Sequence, residues 1–255
     1  MLAFRNEGKK PEVLFWVGCA GSFDDKAQRV TRLFANILNK AGVSFGVLGT
    51  EESCTGDPAK RAGNEFLFQM QALSNIQTLD YYGVESIVTT CPHCFNTLKN
   101  DYPSLGGKYS VFHHTTFIKE LLNQGKIKVE GGHFKGEKIV YHDSCYLGRA
   151  NNVYEAPREI LEQLDISLVE MKSCRKRGLC CGAGGIQFFK EAERGEKQIH
   201  VERTEQALEL NPDIVAVGCS FCKHMLTDGV KTKNMSEKVR VLDILEIMED
   251  AIEKR

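Results

Sequence analysis

The chain has 255 residues, 42% hydrophobic and 26% charged, enough to bury one large core or two smaller ones. A formal net charge of −1 gives no electrostatic footing for nucleic acid or an anionic membrane surface. Residues 1–10 lack the apolar stretch of a secretory signal and no run of about 18 apolar residues suits a membrane span, so the expected setting is cytoplasmic, with any membrane association through a partner.

In chain order, VLFWVGC at 13–19 reads as a buried parallel strand ending at Cys19. AQRVTRLFANILNKAG at 27–42 follows, spacing Val30, Leu33, Phe34 and Ile37 along one helical face and closing at Gly42. Cys54 lies in a Gly-containing loop before a helix expected at about 59–82. SIVTTCPHC at 86–94 is a second strand running into Cys91 and Cys94. A short helix, a strand at 109–114 and a helix at 117–122 close the first half. The Gly-rich segment GGHFKG at 131–136 marks the boundary, which gives domains of 1–134 and 135–255. The second half repeats the plan. KIVYHDSC at 138–145 precedes a loop with Cys180 and Cys181, then a helix at about 190–210 and DIVAVGCSFC at 213–222. A short helix, a strand at 239–244 and a helix at 244–250 end it.

Ten cysteines without a secretory signal point to metal binding or redox chemistry rather than disulfides. Their spacing repeats. Cys19 is followed after 35 positions by Cys54, after 37 by Cys91 and after 3 by Cys94; Cys145 is followed after 36 by Cys181, after 38 by Cys219 and after 3 by Cys222. Alternating strands and helices in both halves predict an α/β fold of two pseudo-symmetric, Rossmann-like halves with parallel sheets, related by a pseudo-twofold axis. In such sheets ligands gather at the carboxyl ends of the strands. Each half should therefore carry its cysteines as a cluster at that edge.

Free N–H groups and helix dipoles at that edge favour thiolates. Pro92 fits the first helical turn after Cys91. Gly182, Gly184 and Gly185 let backbone approach a bulky inorganic group, whose sulfurs the N–H groups then meet. Four thiolates per half satisfy either Zn or an iron–sulfur cluster. The single close-spaced pair is unlike a zinc ribbon, and five thiols in the second half exceed the needs of tetrahedral Zn.

Cys145, then Cys180-Cys181-Gly182, then Cys219-Ser220-Phe221-Cys222 resembles the cysteine-rich CCG domain, which occurs twice in one of the heterodisulfide reductase polypeptides and in related iron–sulfur oxidoreductases. YHDSCYLGR, CCGAGG, HVERTEQAL and VRVLDI are most similar to the C-terminal region of electron-transfer-flavoprotein-linked iron–sulfur oxidoreductases. The resemblance implies two clusters. It implies a noncubane [4Fe–4S] centre on Cys145, Cys180, Cys181, Cys219 and Cys222. In the first half the position matching Cys180 is taken as Ser53, leaving Cys19, Cys54, Cys91 and Cys94 for a [4Fe–4S] cubane or Zn.

Other residues carry a plainer reading beside a sharper one. CPHC alone also matches a thiol–disulfide active site, but its repetition as CSFC favours ligation. Cys174 stands outside the repeat as a spare thiol. His142, Asp143 and Arg149 either tune the centre or bond a turn; His93 and His224 flank the paired cysteines; His113 and His114 end a strand; Arg175, Lys176 and Arg177 read as a solvated loop. The chain has no ferredoxin-type cysteine run and no G-x-G-x-x-G element. The expectation is an iron–sulfur electron-transfer subunit, served by a ferredoxin-like, flavoprotein or membrane-anchored redox partner, with little turnover alone. A heterodisulfide reductase-like catalytic subunit and a non-redox zinc module are the alternatives.

Overall fold

The computed structural model describes every residue except 185, 192–194, 250 and 253–255. The chain packs as two compact units, Met1–Lys126 and Ile127–Arg255. In the first, strands β1 (Val13–Trp16), β2 (Phe45–Gly46), β3 (Ser86–Thr89) and β4 (Ser110–His113) form an all-parallel sheet in the order β2-β1-β3-β4. The second repeats it with β5 (Ile139–Tyr141), β6 (Leu168–Val169), β7 (Ile214–Val217) and β8 (Arg240–Asp243) in the order β6-β5-β7-β8. The central strands β1, β5 and β7 are buried at every position, as parallel strands covered on both faces require.

Helices of the first unit are α1 (Leu2–Asn6), α2 (Gly18–Phe23), α3 (Asp25–Lys40), α4 (Asp57–Arg61), α5 (Glu65–Tyr81), α6 (Pro92–Asn96) and α7 (His114–Asn123). Those of the second are α8 (Glu155–Gln163), α9 (Ile199–Leu208), α10 (Ser220–Thr232) and α11 (Ile244–Met248). α3 starts where the Asp24 carboxylate accepts the Ala27 N–H at 2.8 Å, and it buries Val30, Phe34 and Ile37. The helix expected at 59–82 is two helices. Gly63, at φ +82°, ends the first, and the Asn64 side chain caps the second by accepting the Leu67 N–H at 3.0 Å. The helix expected from 190 begins only at Ile199, after a charged, Gly195-containing stretch part of which lies outside the described residues. Among the described residues no helix is long and apolar enough to cross a membrane.

The connections make the site. From β1 the chain passes to β2 on one side, then back across to β3 on the other. The carboxyl ends of β1 and β3 therefore flank a topological switch point, where open α/β sheets leave a crevice. β5 and β7 make the same crevice in the second unit.

Candidate metal centre

In the first unit Cys19 enters from β1 in the first turn of α2, while Cys91 caps α6 and Cys94 lies inside it. Cys54 arrives from the loop after β2. The Cys19 and Cys54 thiols hydrogen-bond each other, which raises the Cys19 pKa and lowers that of Cys54 to about 7. Cys94 is pushed up by its hydrogen bond with Cys91, then by burial and by charge on Cys91, Cys19 and Cys54. These four thiols share one electrostatic environment. The Gly56 N–H donates to Cys54 Sγ at 3.5 Å, and the Thr55 hydroxyl lies 4.0 Å from Cys94 Sγ. Gly18 has φ +76°, and a Cβ there would stand 3.3 Å from Cys94 Sγ, so a side chain at this position would crowd the sulfur. Glu52 fixes that turn by accepting the N–H groups of Val17 at 3.0 Å and Gly18 at 2.5 Å; burial raises its pKa to about 7.

The second unit repeats the arrangement with one more sulfur. Cys145 and Cys180 are 3.7 Å apart at Sγ, and the Gly182 N–H donates to Cys180 Sγ at 3.3 Å from a residue at φ +89°. Hydrogen bonds from Cys145 and Cys181 lower the Cys180 pKa, while Cys145 is raised by its bond to Cys180 and by burial. Cys181 bonds Cys222, which bonds Cys219, and all three are buried. A ring nitrogen of His142 and the Cys181 and Cys222 sulfurs lie within 4.8 Å of one another. Of the glycines expected to cradle a ligand, Gly182 supplies an N–H to sulfur. A Cβ at Gly184 would make only an ordinary 3.7 Å contact with Tyr146, and Gly185 lies outside the described residues.

The two units correct the expected match between cysteine slots. Cys54 stands 35 residues after Cys19, as Cys180 does after Cys145. Each bonds the opening cysteine and accepts the N–H two residues on. Cys54 is therefore the counterpart of Cys180, and the fifth slot, that of Cys181, is occupied by Thr55. Thr55 Oγ1 faces Cys94 as Cys181 faces Cys222. Ser53 faces elsewhere, donating to the Asn75 side chain at 2.8 Å.

The flanking residues divide between framework and site. Asp143 makes a two-pronged ion pair with buried Arg158, at 2.8 and 3.0 Å, and accepts the Arg175 N–H at 2.7 Å. Burial pushes the Asp143 carboxyl up, but these contacts hold it below the usual range. Arg149 donates to the Gly178 carbonyl, bonding a turn. His93 pairs with Asp57 at 3.0 Å, where Arg61 also contacts the carboxylate. His224 packs edge-on against Phe188, which meets Phe221 of the CSFC segment edge-on as well. His113 and His114 are both fully buried, and His113 caps α7. Cys174 sits beside Glu170 in the turn entering the Arg175–Arg177 stretch. Arg203 went unnoticed in the sequence: from α9 it reaches His142, donating Nε–H to Nδ1 at 3.0 Å.

The profile of the CCG cysteine-rich domain matches residues 13–99 and 139–227, more than half of the chain. A "Probable iron-sulfur-binding oxidoreductase FadF" from Bacillus subtilis is 46% identical over 249 residues, 97% of this chain and 35% of that protein. An "EtfAB:quinone oxidoreductase" from Syntrophomonas wolfei is 43% identical over 97% of this chain and 35% of its own length. A polypeptide of the "Dihydromethanophenazine:CoB--CoM heterodisulfide reductase" from Methanosarcina barkeri is 33% identical over 95% of this chain and 59% of its own. The chain thus spans about a third of the length of the first two relatives.

Proposed function

The chain belongs to the CCG cysteine-rich domain family, and we propose that it is an iron–sulfur electron-transfer unit within a larger oxidoreductase. What supports this reading is the run of pairwise thiol contacts that links Cys145, Cys180, Cys181, Cys222 and Cys219, with an N–H directed at sulfur. Five thiols exceed the demand of tetrahedral Zn and suit a polynuclear centre. In this reading the five hold a noncubane [4Fe–4S] cluster. Cys19, Cys54, Cys91 and Cys94 hold a [4Fe–4S] cubane or, as the coarser fit, Zn. Such clusters, when bound, accept and release single electrons. The chain's own part is to hold the sulfurs, to aim N–H donors at them and to keep water from the paired-cysteine side. EtfAB, quinone and heterodisulfide in the relatives' names favour a separate redox partner, with a flavoprotein the reading preferred here.

Anaerobic purification with iron, sulfide and zinc quantification and EPR tests the reading. The expected result is acid-labile sulfide with iron and a reducible paramagnetic signal assignable to the second unit. About two Zn per chain with no sulfide would overturn it.

A further inference from the structure

Superposing the repeat on its opening cysteines pairs Trp16 with His142, each three residues before the cysteine. Both are 0% exposed: Trp16 is the last residue of β1 and His142 directly follows β5, each an inner strand of its sheet. Each also holds a buried side-chain nitrogen with no hydrogen-bond partner in the protein: Trp16 Nε1 and His142 Nε2. A buried donor left without a partner is costly, so two at one repeat position call for an explanation.

For His142 the network fixes which nitrogen carries the proton. Arg203 Nε is a donor only, and it bonds Nδ1 at 3.0 Å, so Nδ1 must be the acceptor. Arg203 is itself fully buried and tied to the Ser173 carbonyl at 2.7 Å and the Gln206 amide oxygen at 3.0 Å. A neutral ring with Nδ1 accepting carries its hydrogen on Nε2. The sulfurs of Cys181 and Cys222 share a 4.8 Å neighbourhood with this ring. Indole Nε1–H of Trp16 is likewise a donor without acceptor capacity. Trp16 pairs in register with Thr89, two residues before Cys91, and Gly18 just beyond it abuts Cys94.

We propose that His142 Nε2–H and Trp16 Nε1–H each donate a hydrogen bond to a sulfur of the group held by the cysteines of its own unit. They are positioning residues: neither is a ligand, and each stabilises the more reduced state, because added electron density on sulfur strengthens an N–H···S bond. The inference rests on the iron–sulfur reading above.

The test uses the anaerobically isolated, cluster-loaded chain with 15N-labelled histidine or tryptophan. The reduced wild-type protein should give a weak nitrogen hyperfine coupling from His142 in pulsed EPR, lost in His142→Phe. With iron and sulfide unchanged, His142→Phe should lower the reduction equilibrium constant of the second centre about tenfold, which is about 59 mV for one electron. His142→Gln, which returns an N–H near the Nε2 position, should recover most of that shift. Trp16→Phe should shift the first centre alone. Several results would overturn the proposal: no coupling in the wild type, a coupling large enough for direct ligation by His142, or an unchanged midpoint in a cluster-replete His142→Phe. If His142→Phe cannot retain its cluster, the wild-type coupling and the His142→Gln midpoint decide. A wild-type chain lacking acid-labile sulfide removes the premise itself, a failure distinct from the others.

Discussion

Replacing Asp143 with Ala tests whether the residue beside the opening cysteine of the second unit is framework or proton carrier. Its carboxylate and the Arg158 guanidinium have side chains only 4% and 3% exposed and meet at 2.8 and 3.0 Å. Removing one partner of a buried pair costs about 3–5 kcal/mol, because the other charge is left without compensation. Glu170 still holds Arg158, at 2.5 and 2.9 Å, although 36% exposed, so the lower end applies: about 3 kcal/mol. Urea unfolding at neutral pH measures the loss. The sign with pH is fixed by the depressed folded-state pKa of Asp143. Its stabilisation is complete above the unfolded aspartate pKa of about 3.9 and disappears as pH falls through the folded value. The gap between wild type and variant must therefore close on acidification. A loss below about 1 kcal/mol at pH 7, or one that stays constant with pH, would refute the framework role.

Thr55→Cys should add a fifth thiol to the first centre and change its EPR signature, whereas Ser53→Cys should leave that signature alone; the reverse outcome would restore Ser53 as the matching slot. Cys181→Thr should abolish the second centre's native signal while preserving the first, read by EPR on the same sample. Gly18→Ala should destabilise the first unit by about 1–2 kcal/mol through its left-handed backbone and lower its metal content, measured by urea unfolding and metal analysis. Asp57, held below the ordinary carboxylate range by His93 and Arg61 against the upward push of burial, should make Asp57→Asn most costly near neutrality, with the cost fading on acidification in pH-dependent melts.

The sheet edges and most of the sulfur set were legible because β1, β3, β5 and β7 are apolar runs that end at or near cysteines, and period and spacing survive without neighbours. Two-residue strands such as β2 and β6 leave no such periodicity, so they escaped notice. The slot assignment failed for a different reason. Counting from Cys181 matches every gap within one residue, while counting from Cys180 matches the first gap and misses the next by two. Spacing alone cannot separate these alignments. The N–H groups of Gly56 and Gly182, each bonded to the sulfur two residues earlier, do. Arg203 was invisible for a similar reason: it lies 61 residues from His142 and reads in the chain as one more charged residue of an amphipathic helix.

The burial pattern of the sulfurs gives both centres the same polarity. Cys91, Cys94, Cys181, Cys219 and Cys222 are buried; Cys19, Cys54, Cys145 and Cys180 are only half-buried. Cys91 and Cys219 cap helices directly after β3 and β7 and are buried there, and Cys181 is buried although its neighbour Cys180 on the same loop is half-buried. Each half-buried pair, Cys19 with Cys54 and Cys145 with Cys180, is linked by a thiol–thiol hydrogen bond. The side of these pairs is where a redox partner would have the shortest approach. The unpartnered nitrogens of Trp16 and His142 lie at or just beyond the ends of β1 and β5. On the proposed reading, substitutions beside the half-buried cysteines should change electron-transfer rates, while those of Trp16 and His142 should change midpoints.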